Sequence, residues 1–160
     1  MVELTTRDVW RVLLKQNFMV LGMVSARGEA RTAGVMLHVE GRRLWSTTND
    51  DEWKAKHLAA NPQVSVTVPV PKRLPFVPWV KVPAATVTFT AVATLVPAAS
   101  IPGSVRAVLL KGLDVEEDGA RGALVGIRLE PYGDFVTYGV GVSLLGMRDT
   151  ERARGRARAA

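Results

Sequence analysis

The sequence predicts a mainly β protein of the α+β class, an antiparallel barrel, closed or split, of six or seven strands with two or three short peripheral helices. Three observations support this. The chain has 160 residues, of which 48% are hydrophobic and 22% charged, as in one soluble globular domain. Apolar and polar residues alternate in several segments whose connections are too short for parallel crossovers. Helix signals are few and widely spaced.

The first elements are a short helix and a group of strands. Thr5 or Thr6 can cap an amphipathic helix that carries Val9 and Leu13 on its apolar face. Residues 18–48 then contain three strands, because turn residues interrupt an otherwise apolar stretch twice, near residues 26–29 and 40–41. This pattern predicts an antiparallel meander.

A second helix is predicted over residues 50–60. Asn49 and Glu52 have the spacing of a capping box, and acidic residues at 50–52 would complement the helix dipole. Glu52 could also pair with Lys56 four residues on. Pro62 ends the helix, and the alternating segment QVSVTVPV follows as a strand.

The second half contains an unusual loop before it returns to strands. Residues 69–83 hold five prolines and several large apolar residues, so they form neither a helix nor a central strand; such a loop usually packs over a pocket, a partner subunit or the barrel end. A long strand follows over 85–96. Pro102 suits the first position of a helix through residue 111, and two strands flank the turn at residues 131–133.

Charge and composition limit the functional classes. The net charge is +6, but much of the excess lies in residues 148–160, so we expect a single domain over 1–147 and a basic C-terminal tail over 148–160 that is solvated or docks a dimer partner, with no nucleic-acid partner. No apolar stretch is long enough for a membrane span. The chain has no cysteine, and His38 and His57 lack partners at ligand spacing, so no metal site is expected. These features predict a cytoplasmic protein.

No nucleophile motif, phosphate loop or dinucleotide fingerprint is present, so an enzymatic reaction would depend on a cofactor. Arg31, Thr47, Thr48 and Lys54 have the side chains that a phosphate monoester requires, two cations and two hydroxyl donors. The alternative is that both cations are solvated and the threonines satisfy a turn. The carboxylates at 50–52 favour that alternative, because they would repel a phosphate.

The segments RTAGVM and STTNDDEWKAKHLAANPQVSV nevertheless resemble the core of the pyridoxamine 5'-phosphate oxidase-like flavin-binding split barrels. The resemblance covers roughly residues 18–68, and the order and spacing of its Arg, Thr, Lys and Asn-Pro positions carry it. The family also includes deazaflavin-dependent reductases and haem-binding members. The resemblance implies a homodimer with FMN, or alternatively a deazaflavin coenzyme, between its subunits.

The resemblance also assigns residues to the cofactor. Arg31 and Lys54 would hold the phosphate, and Thr47 and Thr48 would donate to the phosphate or the ribityl chain. The backbone along the flavin ring would come from Thr32, Ala33, Gly34 and Val35, and Thr86 falls near a position where relatives have a flavin-contacting Gln.

The chain departs from the family pattern at three places. Trp53 stands where many relatives have Arg, and it could stack on the cofactor, fill the dimer interface or simply pack. Met36 replaces a lysine that holds the substrate phosphate in the oxidases, and no histidine follows His57. Pyridoxamine phosphate is therefore not the expected substrate, and no catalytic residue is assigned, with His57 expected on the helix surface.

The expected function is hydride or electron transfer from the flavin to an unidentified small substrate. The deazaflavin coenzyme has a longer acidic extension, for which Lys72, Arg73 and Lys81 of the proline-rich loop could supply a basic groove. The alternatives are a non-catalytic protein that holds a flavin or haem, and a degenerate barrel that serves a protein partner.

Overall fold

The computed structural model describes residues 1–72, 82–111, 118–119 and 122–159, with only the backbone described at 118–119. The strands are β1 (Val2–Glu3), β2 (Phe18–Val24), β3 (Ala30–Met36), β4 (His38–Glu40), β5 (Arg43–Asn49), β6 (Gln63–Val70), β7 (Ala85–Pro97), β8 (Asp118–Gly119), β9 (Gly122–Tyr138) and β10 (Arg154–Arg158). The helices are α1 (Thr6–Leu13), α2 (Trp53–Ala60), α3 (Gly103–Leu109) and the single turn α4 (Thr150–Ala153).

The main sheet runs in the order β1-β10-β9-β7-β6-β2-β3, while β5 pairs with both β4 and β9. Apart from the parallel pair β1–β10, the pairs are antiparallel. Because the sheet is not closed and short helices flank it, the predicted α+β split barrel is confirmed. The strand count rises to ten within the described residues, because β1, β4 and β8 have only two or three residues each.

One core lies inside the curved sheet. It includes Leu21 of β2, Val66 of β6 and Val87 of β7, which alternate with half-buried or exposed residues, as period-two segments predict. Helix α1 packs on this core through Val9 and Leu13. A second cluster, around Trp45 of β5, is covered by α3.

The predicted cap of the first helix is confirmed at Thr5. Its hydroxyl accepts from the Asp8 amide, and the Asp8 carboxylate accepts from the Thr5 amide, which is a complete capping box. The hydrogen bonds from Thr5 hold the pKa of the Asp8 carboxyl below its ordinary value.

The prediction for the start of the second helix is wrong. Helix α2 begins at Trp53, and its N-cap residue Glu52 makes no capping hydrogen bond through its side chain. Asn49 is the last residue of β5 and pairs with Leu124, while the Asp50 carboxylate accepts from the Ala123 amide at 3.0 Å. Asn49 and Asp50, which would have capped and begun the predicted helix, therefore bind to β9 instead.

Two further boundaries differ from the sequence prediction. Pro102 is the N-cap of α3 rather than its first helical residue, and the helix ends at Leu109. Residues 122–138 form one continuous strand instead of two, because a register shift opposite Thr88 and Thr90 absorbs the turn signal at 131–133. Gly133 has a φ of 73°, which a β-bulge accommodates and a regular strand does not.

The basic C-terminal segment is part of the sheet, in contrast to the expected solvated or dimer-docking tail. Strand β10 pairs antiparallel with β9 and parallel with β1. The side chains of Arg154, Arg156 and Arg158 are exposed, while Gly155 and Ala157 are buried. The arginines thus mark the outward positions of a strand. No helix of the described residues has the length and apolar character needed to cross a membrane.

Candidate functional site

Arg31 is placed at the start of an edge strand. It pairs with Met23 of β2, and in the described part of the chain β2 is the only strand that pairs with β3. The Arg31 guanidinium lies 3.0 Å from the Glu29 carboxylate, and both side chains are more than half exposed. Such an exposed ion pair contributes only about 0–1 kcal/mol, so the guanidinium can exchange this partner for a stronger anion.

Lys54 is the second residue of α2. Its ammonium lies 3.3 Å from the Glu52 carboxylate and 5.4 Å from the centroid of the Trp53 ring. The expected pair between Glu52 and Lys56 is not formed, because Glu52 lies before the helix and contacts Lys54 instead. Only 20% of the Lys54 side chain is exposed, so its charge is more shielded from water than that of Arg31.

A cavity of about 430 Å³ lies between the start of β3 and α2 and is lined by Arg31, Thr32, Trp53 and His57. We call it the cofactor cavity because the family resemblance assigns Arg31 and Thr32 to the cofactor. The structure therefore brings together three residues that the sequence proposed for the site, Arg31, Thr32 and Trp53, and adds His57. The predicted phosphate ligand Lys54 follows Trp53 on α2 but does not itself line this cavity. Trp53 and His57 are one helical turn apart, with ring centroids separated by 5.4 Å in an edge-to-face arrangement. Their i, i+4 spacing could have revealed that they share a helix face.

The remaining positions of β3 divide between the two faces of the sheet. Ala33 and Val35 pack against the core. Gly34 lies on the other face, where a Cβ atom would stand 2.9 Å from two ring carbons of Phe18. The side chain of Phe18 thus rests on the backbone of Gly34. Because β3 is an edge strand, half of its backbone donors and acceptors point away from β2 and can bind a ligand.

Of the predicted threonines, Thr32 lines the cofactor cavity, whereas Thr47, Thr48 and Thr86 do not. Thr47 and Thr48 are consecutive in β5, so their side chains point to opposite faces; Thr48 is buried and Thr47 half-buried. A single anion can therefore contact the side chain of only one of them from a given face. Thr86 is half-buried in β7 between Pro69 and Tyr138.

The basic groove expected from the proline-rich loop falls largely outside the described residues, which exclude Arg73 and Lys81. Lys72 is described, and its ammonium donates to the carbonyl of Val142. Burial lowers the pKa of Lys72. Lys72 therefore ties the end of β6 to the loop after β9. Across the described ranges, no group of three or more His, Asp or Glu side chains could hold a metal ion.

The residues that are present fit a phosphate-bearing cofactor. Within the part of the chain that the structure describes, the two cations Arg31 and Lys54 pair only with exposed or half-exposed carboxylates of neighbouring residues, so an entering phosphate would displace weak contacts. The wall of the cavity includes the ring of Trp53, and the adjacent strand has an unpaired backbone edge. Charge, an aromatic surface and backbone donors are the components that a flavin-type molecule requires.

Comparison with solved structures shows the same fold at low sequence identity. An F420 reductase is 19% identical, with 78% of this chain and 93% of that chain covered and a TM-score of 0.56. A FAD-binding protein from Mesorhizobium loti is 18% identical over 81% of this chain and 91% of its own, with a TM-score of 0.62. A haem storage protein from Vibrio cholerae is 16% identical over 84% and 94%, with a TM-score of 0.62.

Comparison by sequence gives a match to a family model. No curated protein matches the chain. The family model described as pyridoxamine 5'-phosphate oxidase matches residues 6–124, a span that includes β3, α2 and the whole lining of the cofactor cavity. Since this span is most of the chain, the protein belongs to the pyridoxamine 5'-phosphate oxidase family.

Proposed function

We propose that the protein is a cytoplasmic flavin-dependent oxidoreductase that holds the phosphate of its cofactor between Arg31 and Lys54. The cofactor cavity carries this proposal, because it joins Arg31 and Thr32 of the edge strand to Trp53 of the adjacent helix. FMN and the deazaflavin coenzyme both have a phosphate on the ribityl chain, so the same cations serve either one. When bound, the flavin supplies the hydride or electron transfer.

The protein residues bind and orient the cofactor in this proposal. Arg31 and Lys54 fix the phosphate end through charge-assisted hydrogen bonds. Trp53 offers its exposed ring as an apolar wall, and the free backbone edge of β3 donates to the polar rim of the flavin ring. Met36 cannot hold a substrate phosphate, so we propose a small substrate other than pyridoxamine phosphate.

A direct test is titration of the purified protein with FMN and with the deazaflavin coenzyme, in which the fluorescence of the cofactor measures binding. We expect saturable binding of at least one of the two, and reduction of the bound cofactor by a nicotinamide or another donor would separate an enzyme from a carrier. Mass spectrometry of any ligand that co-purifies would identify the natural cofactor. A protein that bound neither molecule would end this proposal.

A second candidate is a non-catalytic haem-binding protein, and the position of His57 favours it. His57 lines the cofactor cavity, and imidazole is a common axial ligand of haem iron. If His57 binds the haem iron, titration with haem gives an absorption spectrum that changes in a His57→Ala variant. If the cavity binds a flavin instead, the affinity depends on the phosphate contacts of Arg31 and Lys54.

The outer face of the sheet supports a homodimer. Phe18 and Met36 are cross-strand partners on this face, and both are about half exposed, as is Val136 of β9. Paired residues on neighbouring strands link β2 to β9 across this face, in the order Val20–Thr67, Thr67–Thr88 and Thr88–Val136. Exposed apolar side chains that share one face are typical of an interaction surface.

We therefore expect the wild-type protein to be a dimer and Met36→Glu to produce monomers, because a charge would be buried at the interface. Light scattering coupled to size-exclusion chromatography measures both. Val108→Glu, at an exposed apolar residue of α3, is the matched control and should leave the dimer intact. A monomeric wild-type protein would refute the dimer.

A further inference from the structure

A cavity of about 400 Å³ opens at the turn between β4 and β5, and the function proposed above does not use it. Its volume lies within the range of small-molecule sites, about 300–1,000 Å³. Strand β5 has seven residues, so roughly 20 Å of strand separates this turn from the end of β5 that leads to α2. We call this space the hairpin cavity. The residues that line it include Glu40, Gly41, Arg42, Arg43, Glu130, Pro131 and Ala159.

The turn that contributes to the hairpin cavity has a well-defined backbone. Glu40 pairs with Arg43 across the hairpin, so only Gly41 and Arg42 connect the two strands. Gly41 has a φ of 63°, whereas the φ of Arg42 is not positive, which is the pattern of a type II′ turn. Glu40 and Arg42 are therefore held at fixed backbone positions two residues apart.

One carboxylate in the hairpin cavity is already compensated. The Nε atom of Arg43 lies 2.9 Å from one carboxylate oxygen of Glu130, and the Nη2 atom of Arg128 lies 3.6 Å from the other oxygen. Both oxygens of Glu130 thus have a cationic partner. A ligand in the cavity would gain little from this carboxylate or from Arg43.

Glu40 and Arg42 differ from that pair, because neither has a partner of opposite charge. Across the described residues, no cation lies within ion-pair distance of Glu40, and no carboxylate lies within that distance of Arg42. The hydroxyl of Ser104 on α3 donates to one carboxylate oxygen of Glu40, and α3 is anchored in the cluster around Trp45. Ser104 therefore orients the half-buried Glu40 carboxylate, which does not pair with the exposed Arg42. One cavity thus contains an unpaired carboxylate and an unpaired guanidinium.

We propose that the hairpin cavity binds a small zwitterion, an α-amino acid with an uncharged apolar side chain. Its ammonium pairs with Glu40 and its carboxylate with Arg42, whose planar guanidinium suits a carboxylate. Pro131 and Ala159 supply apolar surface for the side chain of the ligand. Glu40 repels a simple anion and Arg42 repels a simple cation, so a ligand with both charges satisfies both residues. This inference does not depend on the proposed function.

Isothermal titration calorimetry with L-leucine tests the inference. Exposed charge pairs are individually weak, so we expect a dissociation constant of about 0.1–1 mM. Two analogues are the chemical controls: isoamylamine, which lacks the carboxylate of leucine, and isocaproate, which lacks its ammonium. Each should bind roughly tenfold or more weakly than leucine.

Glu40→Gln and Arg42→Gln should each weaken leucine binding about fivefold or more, because each removes one of the two charges and keeps a side chain of similar size. Arg7→Gln, at an exposed arginine of α1, is the matched control and should leave the dissociation constant within about twofold. Circular dichroism during thermal unfolding shows whether the three variants are folded like the wild-type protein.

Three results would overturn the inference. The first is no binding of leucine by the wild-type protein at about 10 mM. The second is equal affinity for leucine and for either analogue, which would indicate a site for a simple ion. The third is unchanged leucine affinity in both Glu40→Gln and Arg42→Gln. Failure of the protein to bind a flavin would refute the proposed function and leave this inference in place.

Discussion

Replacing both Arg31 and Lys54 by alanine will weaken FMN binding by roughly 10²–10⁴-fold. Each cation would lose a charge-assisted hydrogen bond to the phosphate, worth about 1.5–3 kcal/mol, and about 1.4 kcal/mol corresponds to a factor of ten. The carboxylates released, Glu29 and Glu52, are exposed enough to be solvated without a large cost. Fluorescence titration of the variant and the wild-type protein measures the change.

Riboflavin provides the control for this experiment because it lacks the phosphate. Its affinity should be nearly equal in the variant and the wild-type protein, so that the preference for FMN over riboflavin disappears. Arg43→Ala is a matched variant, since Arg43 is also an exposed arginine paired with a glutamate, 2.9 Å from Glu130, but it lies at the start of β5 and not on β3 or α2. Unchanged FMN affinity in the double variant would place the phosphate elsewhere.

Phe135→Ala will lower the free energy of unfolding by about 3–5 kcal/mol, the usual cost of removing a fully buried phenyl ring. Phe135 of β9 is completely buried and makes edge-to-face contacts with Trp10 of α1 and Phe89 of β7, at centroid distances of 5.4 and 5.1 Å. The ring therefore joins the first helix to two central strands. Urea denaturation at a fixed protein concentration measures the loss.

Tyr132→Ala is the matched control for Phe135→Ala, because Tyr132 lies on the same strand with 42% of its surface exposed. It should change the free energy of unfolding by no more than about 0.5 kcal/mol. If Phe135→Ala had an effect as small as this control, the aromatic cluster would not be a main source of stability.

Local patterns in the sequence predicted much of the sheet but not its irregular positions. The alternation in QVSVTVPV corresponds to β6 at residues 63–70. In contrast, the capping signal at Asn49 failed because a partner 75 residues later, Leu124, pairs with it in the sheet. A cap is a local interaction, and nothing in its sequence shows that a distant strand will compete for the same groups.

The C-terminal segment has the alternating pattern of a strand, which its high charge obscures. Arginine alternates with Gly or Ala over residues 154–159, which is the period of a strand with small residues facing inward. Its high charge indicated a solvated tail, because small inward residues produce little hydrophobic signal. They are required here, since a Cβ atom at Gly155 would lie 2.7 Å from the Thr137 hydroxyl oxygen.

Part of the candidate site could also be predicted. The resemblance proposed Arg31, Thr32 and Trp53, which line one cavity, but a role for His57 was missed although it shares a helix face with Trp53. Separation of Thr47 and Thr48 onto two faces follows directly from the strand period. A neighbouring cavity, lined by residues of the β2–β3 turn and of α2, was not predicted, because it depends on how closely that turn approaches α2, which no local pattern encodes.

The pairing of β10 with β9 and β1 has a consequence for protein synthesis on the ribosome. The segment of β9 at residues 134–138 has one edge that only β10 covers among the described strands, and β10 lies at residues 154–158. Until those residues emerge from the ribosome, the nascent chain exposes an unpaired strand edge beside the aromatic cluster. We therefore expect a nascent chain stalled before residue 154 to depend on chaperones to avoid aggregation.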